Sequence, residues 1–281
     1  MSGKKPGSTT DPAAAGESPP AGERIAKRLA RAGIASRRDA ERLIAGRRVK
    51  VDGIVIESPA LNVTDTQVIH VDGVQVGGAQ AVRLWLYHKP PGLMTTRRDP
   101  KGRATIFDHL PEELPYTVSI GRLDLNSEGL LLLTTSGALS RYLELPSTGW
   151  TRRYRVRVFG RPDAAAIARL AAGITVEGER FGPIQLRAEA PDKGERGTER
   201  SGGSNTWATV SLKEGRNREV RRALQEVGHS VSRLIRTAYG PFQLGQLPRG
   251  ATKEAPRRVL REALGAARLA EIEAGRTPSA E

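Results

Sequence analysis

The chain of 281 residues contains no cysteine and few aromatic residues, namely three Trp, five Tyr and four Phe. The absence of cysteine excludes disulfide bonds, Cys-ligated metals and thiol nucleophiles. Only four His are present, and none has a partner at metal-site spacing, so we expect no metal. The chain also lacks a dinucleotide-binding fingerprint and a phosphate-binding Gly-rich loop followed by Lys and Ser or Thr, which argues against those nucleotide-binding classes.

Apolar runs are short. The run Leu130–Leu133 ends at polar residues, which predicts a buried strand rather than a membrane segment. Residues 1–22 lack the apolar core of a signal peptide, so a cytoplasmic location without a membrane anchor is expected. Their Gly, Ser, Pro and Ala content predicts a disordered tail. The hydrophilic residues 188–205 are expected to form an exposed insertion.

The charge of the chain is strongly positive. There are 45 Lys and Arg against 31 Asp and Glu, which gives a formal net charge of +14 and an isoelectric point near 10.7. An excess of this size favours a polyanionic partner such as nucleic acid. Charge alone is equally compatible with a basic protein that binds no polyanion.

Two short helices and two hairpins are predicted after residue 22. One face of the first helix is apolar, and the other is expected to be wholly cationic through four residues that we call the first-helix cations: Arg24, Lys27, Arg28 and Arg31. Ser36 and Asp39 form the capping pattern of a second helix, near whose start lie Arg37 and Arg38. Asp-Gly pairs at Asp52 and Asp72 predict tight hairpin turns. This arrangement resembles the small S4 RNA-binding domain, and its cations would contact phosphates without reading sequence.

Further along the chain, the string GRLDLNSEGLLLLTTSG at 121–137 places Asp124 in a polar loop directly before the apolar run. A loop held by a buried strand can aim a carboxylate rigidly into a cleft. The string resembles the catalytic motif of the RNA pseudouridine synthases, in the bacterial ribosomal group with small-subunit type A and large-subunit type B members. The resemblance implies that Asp124 is the catalytic nucleophile or base, and whether it attacks the sugar or the base or abstracts a proton stays open.

Two other segments carry the same resemblance. Thr151–Phe159 is predicted to be a strand, and Tyr154 on it would lie against the target base. The segment EGRNREVRR at 214–222 resembles the EGRNRQVRR motif of the family, with Glu219 in place of Gln. The resemblance implies that Arg221 pairs with the catalytic Asp and that Leu234 packs below the uracil. Arg122 would fill the stack that a flipped nucleotide leaves, while Arg216 and Arg218 would contact RNA phosphates.

Other local expectations follow from turn and helix signals. The sequence from His88 to Gly92 predicts a rigid turn in which His88 is a turn residue, residues 104–110 predict a short helix, and residues 258–274 predict one amphipathic helix. Mixed short strands and helices without regular βαβ alternation predict an α+β fold. By the resemblance, residues 23–80 are an S4-like domain, residues 81–265 a catalytic domain with a mostly antiparallel sheet, and residues 266–281 the end of a helix and a tail.

The function that the resemblance implies is isomerisation of one uridine in ribosomal RNA to pseudouridine, without a cofactor and with base flipping. The segment YGPFQLGQLPRG at 239–250 favours the large-subunit 23S rRNA over the small-subunit 16S rRNA. The partner would be this RNA or a pre-ribosomal particle, bound by a monomer. The alternatives are a non-catalytic ribosome-assembly factor with the same fold and a glycosidase that uses Asp124 and Glu128 as its two carboxylates.

Overall fold

The computed structural model describes residues 22–189 and 205–279. The predicted N-terminal tail, except for its last residue, and nearly all of the predicted insertion at 188–205 lie outside these residues. The chain divides into two compact units between Gly78 and Ala79. Across the described ranges, no helix is long and apolar enough to cross a membrane.

The first unit packs two helices against short strands. Its core contains Ile25, Leu29, Ile44 and Val49, all fully buried. The elements are β1 (Glu23–Arg24), α1 (Ile25–Arg31), α2 (Arg37–Ala45), β2 (Val49–Val51), β3 (Ile54–Val55), β4 (Asn62–Val63), β5 (Ile69–Val71) and β6 (Val74–Gln75). The sheet order β3-β2-β5-β6 consists of the two predicted hairpins, which pair through β2 and β5.

The predicted caps and turns of this unit are confirmed. The Ser36 hydroxyl accepts a hydrogen bond from the backbone N–H of Asp39 at 3.0 Å, so it caps α2. Asp52 and Gly53 both have positive φ, as do Asp72 and Gly73. A two-residue hairpin turn of this type requires positive φ at both positions, which explains why each hairpin carries Asp-Gly.

The prediction of a wholly cationic face on α1 is wrong. The carboxylate of Glu23 lies on this face and forms ion pairs with Lys27 at 3.5 Å and Arg31 at 2.7 Å. Arg24 precedes α1 and donates to the carbonyl of Ala60. The sequence pattern missed this neutralisation because Glu23 precedes the helix and approaches it through the β1–β4 strand pair.

The second unit contains a nine-stranded sheet with the order β13-β14-β10-β15-β9-β7-β17, to which β8 and β16 add. Among the strand pairs of this sheet that the structure describes, only that of β15 with β9 is parallel, so the predicted mostly antiparallel sheet and the α+β class are confirmed. The elements are β7 (Leu84–Lys89), β8 (Val118–Ile120), β9 (Glu128–Thr134), α3 (Gly137–Glu144), β10 (Arg152–Phe159), α4 (Ala164–Ala171), β11 (Ile174–Val176), β12 (Glu179–Phe181), β13 (Gln185–Ala188), β14 (Asn205–Leu212), α5 (Glu219–Glu226), β15 (Val231–Tyr239), β16 (Phe242–Gln243), β17 (Thr252–Glu254), α6 (Arg257–Leu264) and α7 (Ala266–Glu273).

The sheet is buried on both faces at its neighbouring strands β7 and β9. Leu131 and Leu133 belong to one core cluster, while Leu130 and Leu132 belong to another on the opposite side. Because side chains alternate along a strand, burial on both faces explains the uninterrupted apolar run. We call the side of Leu131, where α4 and α5 pack, the front face. The other side, where α3, α6 and α7 pack, is the back face.

Three local predictions differ from the structure. Strand β7 continues through His88 and Lys89, so the turn begins only at Pro90, and His88 is a strand residue that pairs with Leu130. The predicted helix at 104–110 is one 3₁₀ turn, Ile106–Asp108. The predicted helix at 258–274 is two helices, because Gly265 between them has φ +81° and ψ 151°, which no α-helix accommodates.

Candidate active site

The loop that carries Asp124 joins β8 to β9 and is held from both sides. The hydroxyl of Thr95 donates to the carbonyl of Leu123 at 2.9 Å, and the backbone N–H of Gly92 donates to the carbonyl of Leu125 at 2.8 Å. Leu123 is buried in the front-face cluster, whereas the side chain of Asp124 remains 30% exposed. The loop therefore has a fixed backbone and a carboxylate that solvent or a ligand can reach.

Lys89 is a site residue that the sequence analysis missed. Its side chain is fully buried, and its ammonium group donates to the carbonyls of Pro90 at 3.0 Å, Asp124 at 3.2 Å and Ser127 at 2.9 Å, with the carbonyl of Leu125 at 3.5 Å. Burial lowers the pKa of Lys89 to about 8, while the charges of Asp124 and Glu128 oppose this shift. A buried lysine thus ties the backbone of the Asp124 loop to the end of β7.

Gly129 is the one position in the catalytic motif where the close approach of two strands demands glycine. Its φ is +105°, and a Cβ there would lie 2.3 Å from the backbone oxygen of Arg236 on β15. The strands β9 and β15 run parallel at this point, with Gly129 opposite Arg236. Any side chain here would push β15 away from the strand that follows the Asp124 loop.

Among the described residues, the only ion pair of the Asp124 carboxylate is with Arg218, at 3.8 Å. The ion pair expected for Arg221 is therefore not formed: its guanidinium donates to the carbonyls of Val231 at 2.8 Å and Asn126 at 3.2 Å. Burial and the charge of Arg218 lower the pKa of Arg221, and the charge of Asp124 raises it. Arg221 thus acts on Asp124 at longer range and anchors the loop two residues beyond it.

Arg218, which approaches Asp124, has an unusual backbone conformation. It precedes α5 with φ 50° and ψ 26°, in the left-handed region that few non-glycine residues adopt. Its side chain remains 51% exposed. The predicted phosphate contact of Arg218 stays a prediction, and the structure adds the ion pair with Asp124 to it.

Arg216 is engaged within the protein. Its guanidinium forms ion pairs with Glu214 at 2.7 Å and Glu179 at 3.2 Å, and its backbone N–H donates to the carboxylate of Glu219 at 2.8 Å. Glu219, which departs from the family motif, is buried, and burial raises its pKa. In this arrangement Arg216 stabilises the loop before α5, which weakens the predicted role of Arg216 as a phosphate contact.

Tyr154 and Leu234 are brought together on the front face. Both belong to the buried cluster that contains Leu123, and the strands β10 and β15 pair so that Leu234 lies opposite Val156. Tyr154 is 9% exposed, at the border of the core. Arg122 is exposed, two residues before Asp124. Leu123, Tyr154 and Leu234 thus share one buried cluster, and Asp124 directly follows Leu123 in the chain.

Glu128 is the second carboxylate near Asp124, and it is fully engaged. It is buried and forms ion pairs with Arg233 at 2.5 Å and Arg249 at 2.9 Å. Burial raises the pKa of Glu128, but the hydrogen bond from Arg233 and the two positive charges outweigh this effect and lower it overall. A carboxylate kept ionised between two arginines cannot act as the proton donor of a glycosidase.

Acidic and imidazole side chains do not assemble into a metal site here. Within residues 22–189 and 205–279, no group of three or more His, Cys, Asp or Glu is placed to hold a metal ion. The chemistry available at the loop is that of one accessible carboxylate, nearby guanidinium groups and an apolar floor.

Comparison with known proteins agrees with this geometry. The family model described as RNA pseudouridylate synthase matches residues 83–226, and the S4 domain model matches residues 23–69. An RNA pseudouridine synthase of Rickettsia felis is 45% identical over 238 residues, which cover 85% of this chain and 99% of the relative. The ribosomal large subunit pseudouridine synthase B of Escherichia coli O157:H7 is 43% identical over 239 residues, covering 83% and 79%.

A solved pseudouridylate synthase shares the fold. Its crystal structure aligns with a TM-score of 0.59 and 22% sequence identity over 86% of this chain and 99% of the other. The two family models match consecutive parts of the chain, and close relatives match nearly from end to end. The chain therefore belongs to the RNA pseudouridylate synthase family and is an RNA pseudouridine synthase with an N-terminal S4 domain.

Proposed function

We propose that this enzyme isomerises one uridine of the large-subunit 23S rRNA to pseudouridine, with Asp124 as the essential catalytic group. The observation that carries the proposal is the Asp124 loop, in which a fixed backbone presents an accessible carboxylate beside the cluster of Tyr154 and Leu234. The 43% identity to a large-subunit pseudouridine synthase B supports the choice of RNA. An enzyme with this substrate would work in the cytoplasm.

The reaction explains why few groups are needed. The bond between ribose C1′ and uracil N1 breaks, the uracil turns, and C1′ bonds to C5, which loses its proton while N1 gains one. The product is an isomer, so no oxidant, reductant or co-substrate takes part. An ionised carboxylate near the ribose is the required nucleophile or base, and nearby positive charge keeps it ionised. Arg218 and Arg221 supply that charge.

The substrate base must leave its stack to reach this carboxylate. Arg122, exposed two residues before Asp124, is suited to occupy the vacated position. Tyr154 would then lie against the flipped uracil, and Leu234 would support it from below. Because the detached uracil must be retained, a closed apolar pocket serves the reaction better than an open polar one.

The N-terminal S4 domain would add affinity rather than chemistry. Arg37 and Arg38 at the start of α2 are exposed and form no ion pair within the part of the chain that the structure describes. Two of the first-helix cations, Lys27 and Arg31, already pair with Glu23. The α2 arginines are therefore the stronger candidates for phosphate contacts.

The test is to map pseudouridines in ribosomal RNA from a strain that lacks the gene and from the same strain complemented with wild-type protein or with Asp124→Asn. We expect one site in 23S rRNA to disappear and to return only with wild-type protein, because the amide keeps the shape of Asp124 but not its charge. Glu112→Gln, which changes an exposed carboxylate away from the loop, is the control.

Each alternative gives a different result. Loss of a site in 16S rRNA instead would identify the small-subunit activity. A growth defect that Asp124→Asn corrects, with no pseudouridine lost, would indicate a non-catalytic assembly factor. Purified Asp124→Asn that retains a rate within about tenfold of wild type, a barrier change of about 1.4 kcal/mol, would remove Asp124 from the essential role.

A further inference from the structure

The back face of the sheet carries a cluster of arginines where β13, β14, β10 and β15 lie side by side. Along β10 the side chains alternate, so that Tyr154, Val156 and Val158 enter the front core while Arg153, Arg155 and Arg157 point to the back. The pairing registers place Arg187 of β13 and Arg233 of β15 on the same face. We call these five residues the back-face arginines: Arg153, Arg155, Arg157, Arg187 and Arg233.

Three of these arginines have no acidic partner. Arg153, Arg157 and Arg187 are exposed and make no ion pair with any residue in the described ranges. The other two are each held by one carboxylate, Arg155 by Glu189 at 2.7 Å and Arg233 by Glu128 at 2.5 Å. The face therefore keeps a surplus of positive charge after its internal pairs are counted.

The arrangement disfavours folding in the absence of a ligand. Arg157 lies directly opposite Arg233 on the neighbouring strand, and like charges directly opposite each other in a sheet repel. On the other half of the sheet the back face is covered by apolar side chains of α3, α6 and α7. A face that only stabilised the fold would be expected to carry charges of alternating sign or apolar side chains, as that half does.

An aromatic ring lies among these cations. Trp207 of β14 is opposite Arg157, and the guanidinium carbons of Arg155 and Arg233 lie 4.4 Å and 5.7 Å from its ring centroid. Such contacts hold the two guanidinium groups in place and reduce the conformational entropy that binding would cost. Phe159, 53% exposed, ends the same row of β10. The surface is thus partly organised before any ligand binds.

The spacing of the cations fits a chain of phosphates. Residues two apart on a strand are separated by about 6.8 Å, and adjacent strands by about 4.8 Å. Guanidinium groups on this grid can each donate two hydrogen bonds to a phosphodiester. Because these side chains lie on the face opposite to the front-face cluster of Tyr154 and Leu234, an RNA segment bound here would be a different one from the segment whose base reaches Asp124.

We propose that the back-face arginines bind the phosphate backbone of a second segment of the ribosomal RNA, distinct from the segment that carries the target uridine. This inference rests on the proposed function, since it assumes that the substrate is an RNA long enough to contact both faces. It gives the enzyme a second contact with the same RNA, which would favour binding to the folded or assembling subunit over a short isolated hairpin.

The test measures binding of the full-length enzyme to a complete 23S rRNA transcript at several salt concentrations. Arg153, Arg157 and Arg187 are changed together to Glu, and a second variant carries Gln at the same positions in case the Glu variant fails to fold. The control changes three exposed arginines of α3 and α6, Arg141, Arg258 and Arg261, to Glu, which gives the same change in net charge.

We expect the salt slope of log Kd to fall by about 2 to 3 in the Glu variant, because about 0.7 to 0.9 is lost with each phosphate contact. Binding to a target hairpin alone, and the single-turnover rate at saturating enzyme, should remain within twofold of wild type. An unchanged slope in both the Glu and Gln variants, or an equal fall in the control, would overturn the proposal. An unchanged slope in both variants would leave an acidic protein as the partner for this face.

Failure of this proposal can be separated from failure of the proposed function, because pseudouridine is measured in the same samples. If wild-type enzyme modifies the transcript but the back-face variants bind it normally, only the second surface is rejected. If no pseudouridine forms but the variants lose salt-dependent binding, the surface is retained and the activity on 23S rRNA is rejected.

Discussion

Replacing Lys89 by Met should destabilise the Asp124 loop and slow catalysis. The ammonium group donates to the carbonyls of Asp124 and Ser127 in the loop and to that of Pro90 after β7. Met preserves the length of the side chain while removing every donor. Hydrogen bonds from a charged donor contribute roughly 1.5 to 3 kcal/mol each, so three such bonds amount to about 5 to 9 kcal/mol before desolvation is counted.

Desolvation of the charge offsets part of this energy. A pKa of about 8 for Lys89, against an ordinary value of 10.5, corresponds to a cost of about 3 kcal/mol for keeping the buried group protonated. We therefore expect Lys89→Met to lower the free energy of unfolding by about 3 kcal/mol in urea titrations. The single-turnover rate of pseudouridine formation should fall about 100-fold, because the carboxylate is no longer held in one position.

The control for this change is Lys253→Met, on the exposed edge strand β17 that pairs with β7. It should change the free energy of unfolding, and the activation barrier that the single-turnover rate reports, by less than about 0.5 kcal/mol each, as surface substitutions usually do. If Lys89→Met keeps a wild-type rate and unfolds within 1 kcal/mol of wild type, then Lys89 does not position the loop.

The pKa of Lys89 also predicts a dependence on pH. Between about pH 8 and its ordinary value of 10.5, the folded protein has lost this proton while the unfolded chain still holds it. The part of the stability that depends on this difference in bound protons therefore increases with pH: it is fully present above pH 10.5 and is lost as the pH falls through 8. The rate should fall as the pH rises above 8, since a neutral amine has one proton fewer for the loop carbonyls. Lys89→Met should show neither effect.

Three further predictions concern the cations and Glu219. Arg221→Met should reduce the rate roughly 100-fold, because it leaves two carbonyls without their donor. Arg218→Met should reduce the rate less than tenfold, since a half-exposed ion pair contributes about 1 kcal/mol or less. Single-turnover rates that reverse this order would contradict the geometry. Changing Arg37 and Arg38 together to Gln should reduce the salt slope of RNA binding by up to about 1.8, and the same change at Lys27 and Arg31 should have a smaller effect, which filter binding at several salt concentrations measures. Glu219→Gln should raise the free energy of unfolding at pH 7 by roughly 1 kcal/mol, because a buried carboxylate with a raised pKa contributes its full stability only below its ordinary pKa. In urea titrations the two proteins should therefore converge near pH 4. A difference that stays constant with pH would contradict this prediction.

Local signals predicted local structure well. Ser36 caps a helix as its sequence context indicates, and Asp-Gly at residue 52 forms a hairpin turn. The apolar run after Asp124 is the buried strand that its composition predicts, and the S4 and synthase motifs are confirmed by the family matches. The cap and the turn each depend on residues within about four positions of one another.

Two predictions failed because of structure that lies outside the local pattern. Two prolines after Lys89 favour a turn, but pairing with β9 extends the strand through Lys89 and buries it. The motif around α5 offers several arginines, and the one that approaches Asp124 is Arg218, whose backbone is left-handed. No residue pattern within the motif encodes that conformation, because Arg is not a residue that favours positive φ.

The single parallel pairing in the sheet determines when the active site can form during synthesis. Strand β9 directly follows the Asp124 loop, and its parallel neighbour β15 lies about a hundred residues later in the chain. For example, the Arg236 side chain donates to the carbonyl of Leu130, 106 residues away. Contacts at such separation form late, since the entropy of loop closure must first be overcome. A nascent chain that has left the ribosome only as far as β14 carries Asp124, the proposed catalytic group, but neither Arg218 nor the strand against which Gly129 packs. The proposed active site is therefore complete only once the chain has been made as far as β15.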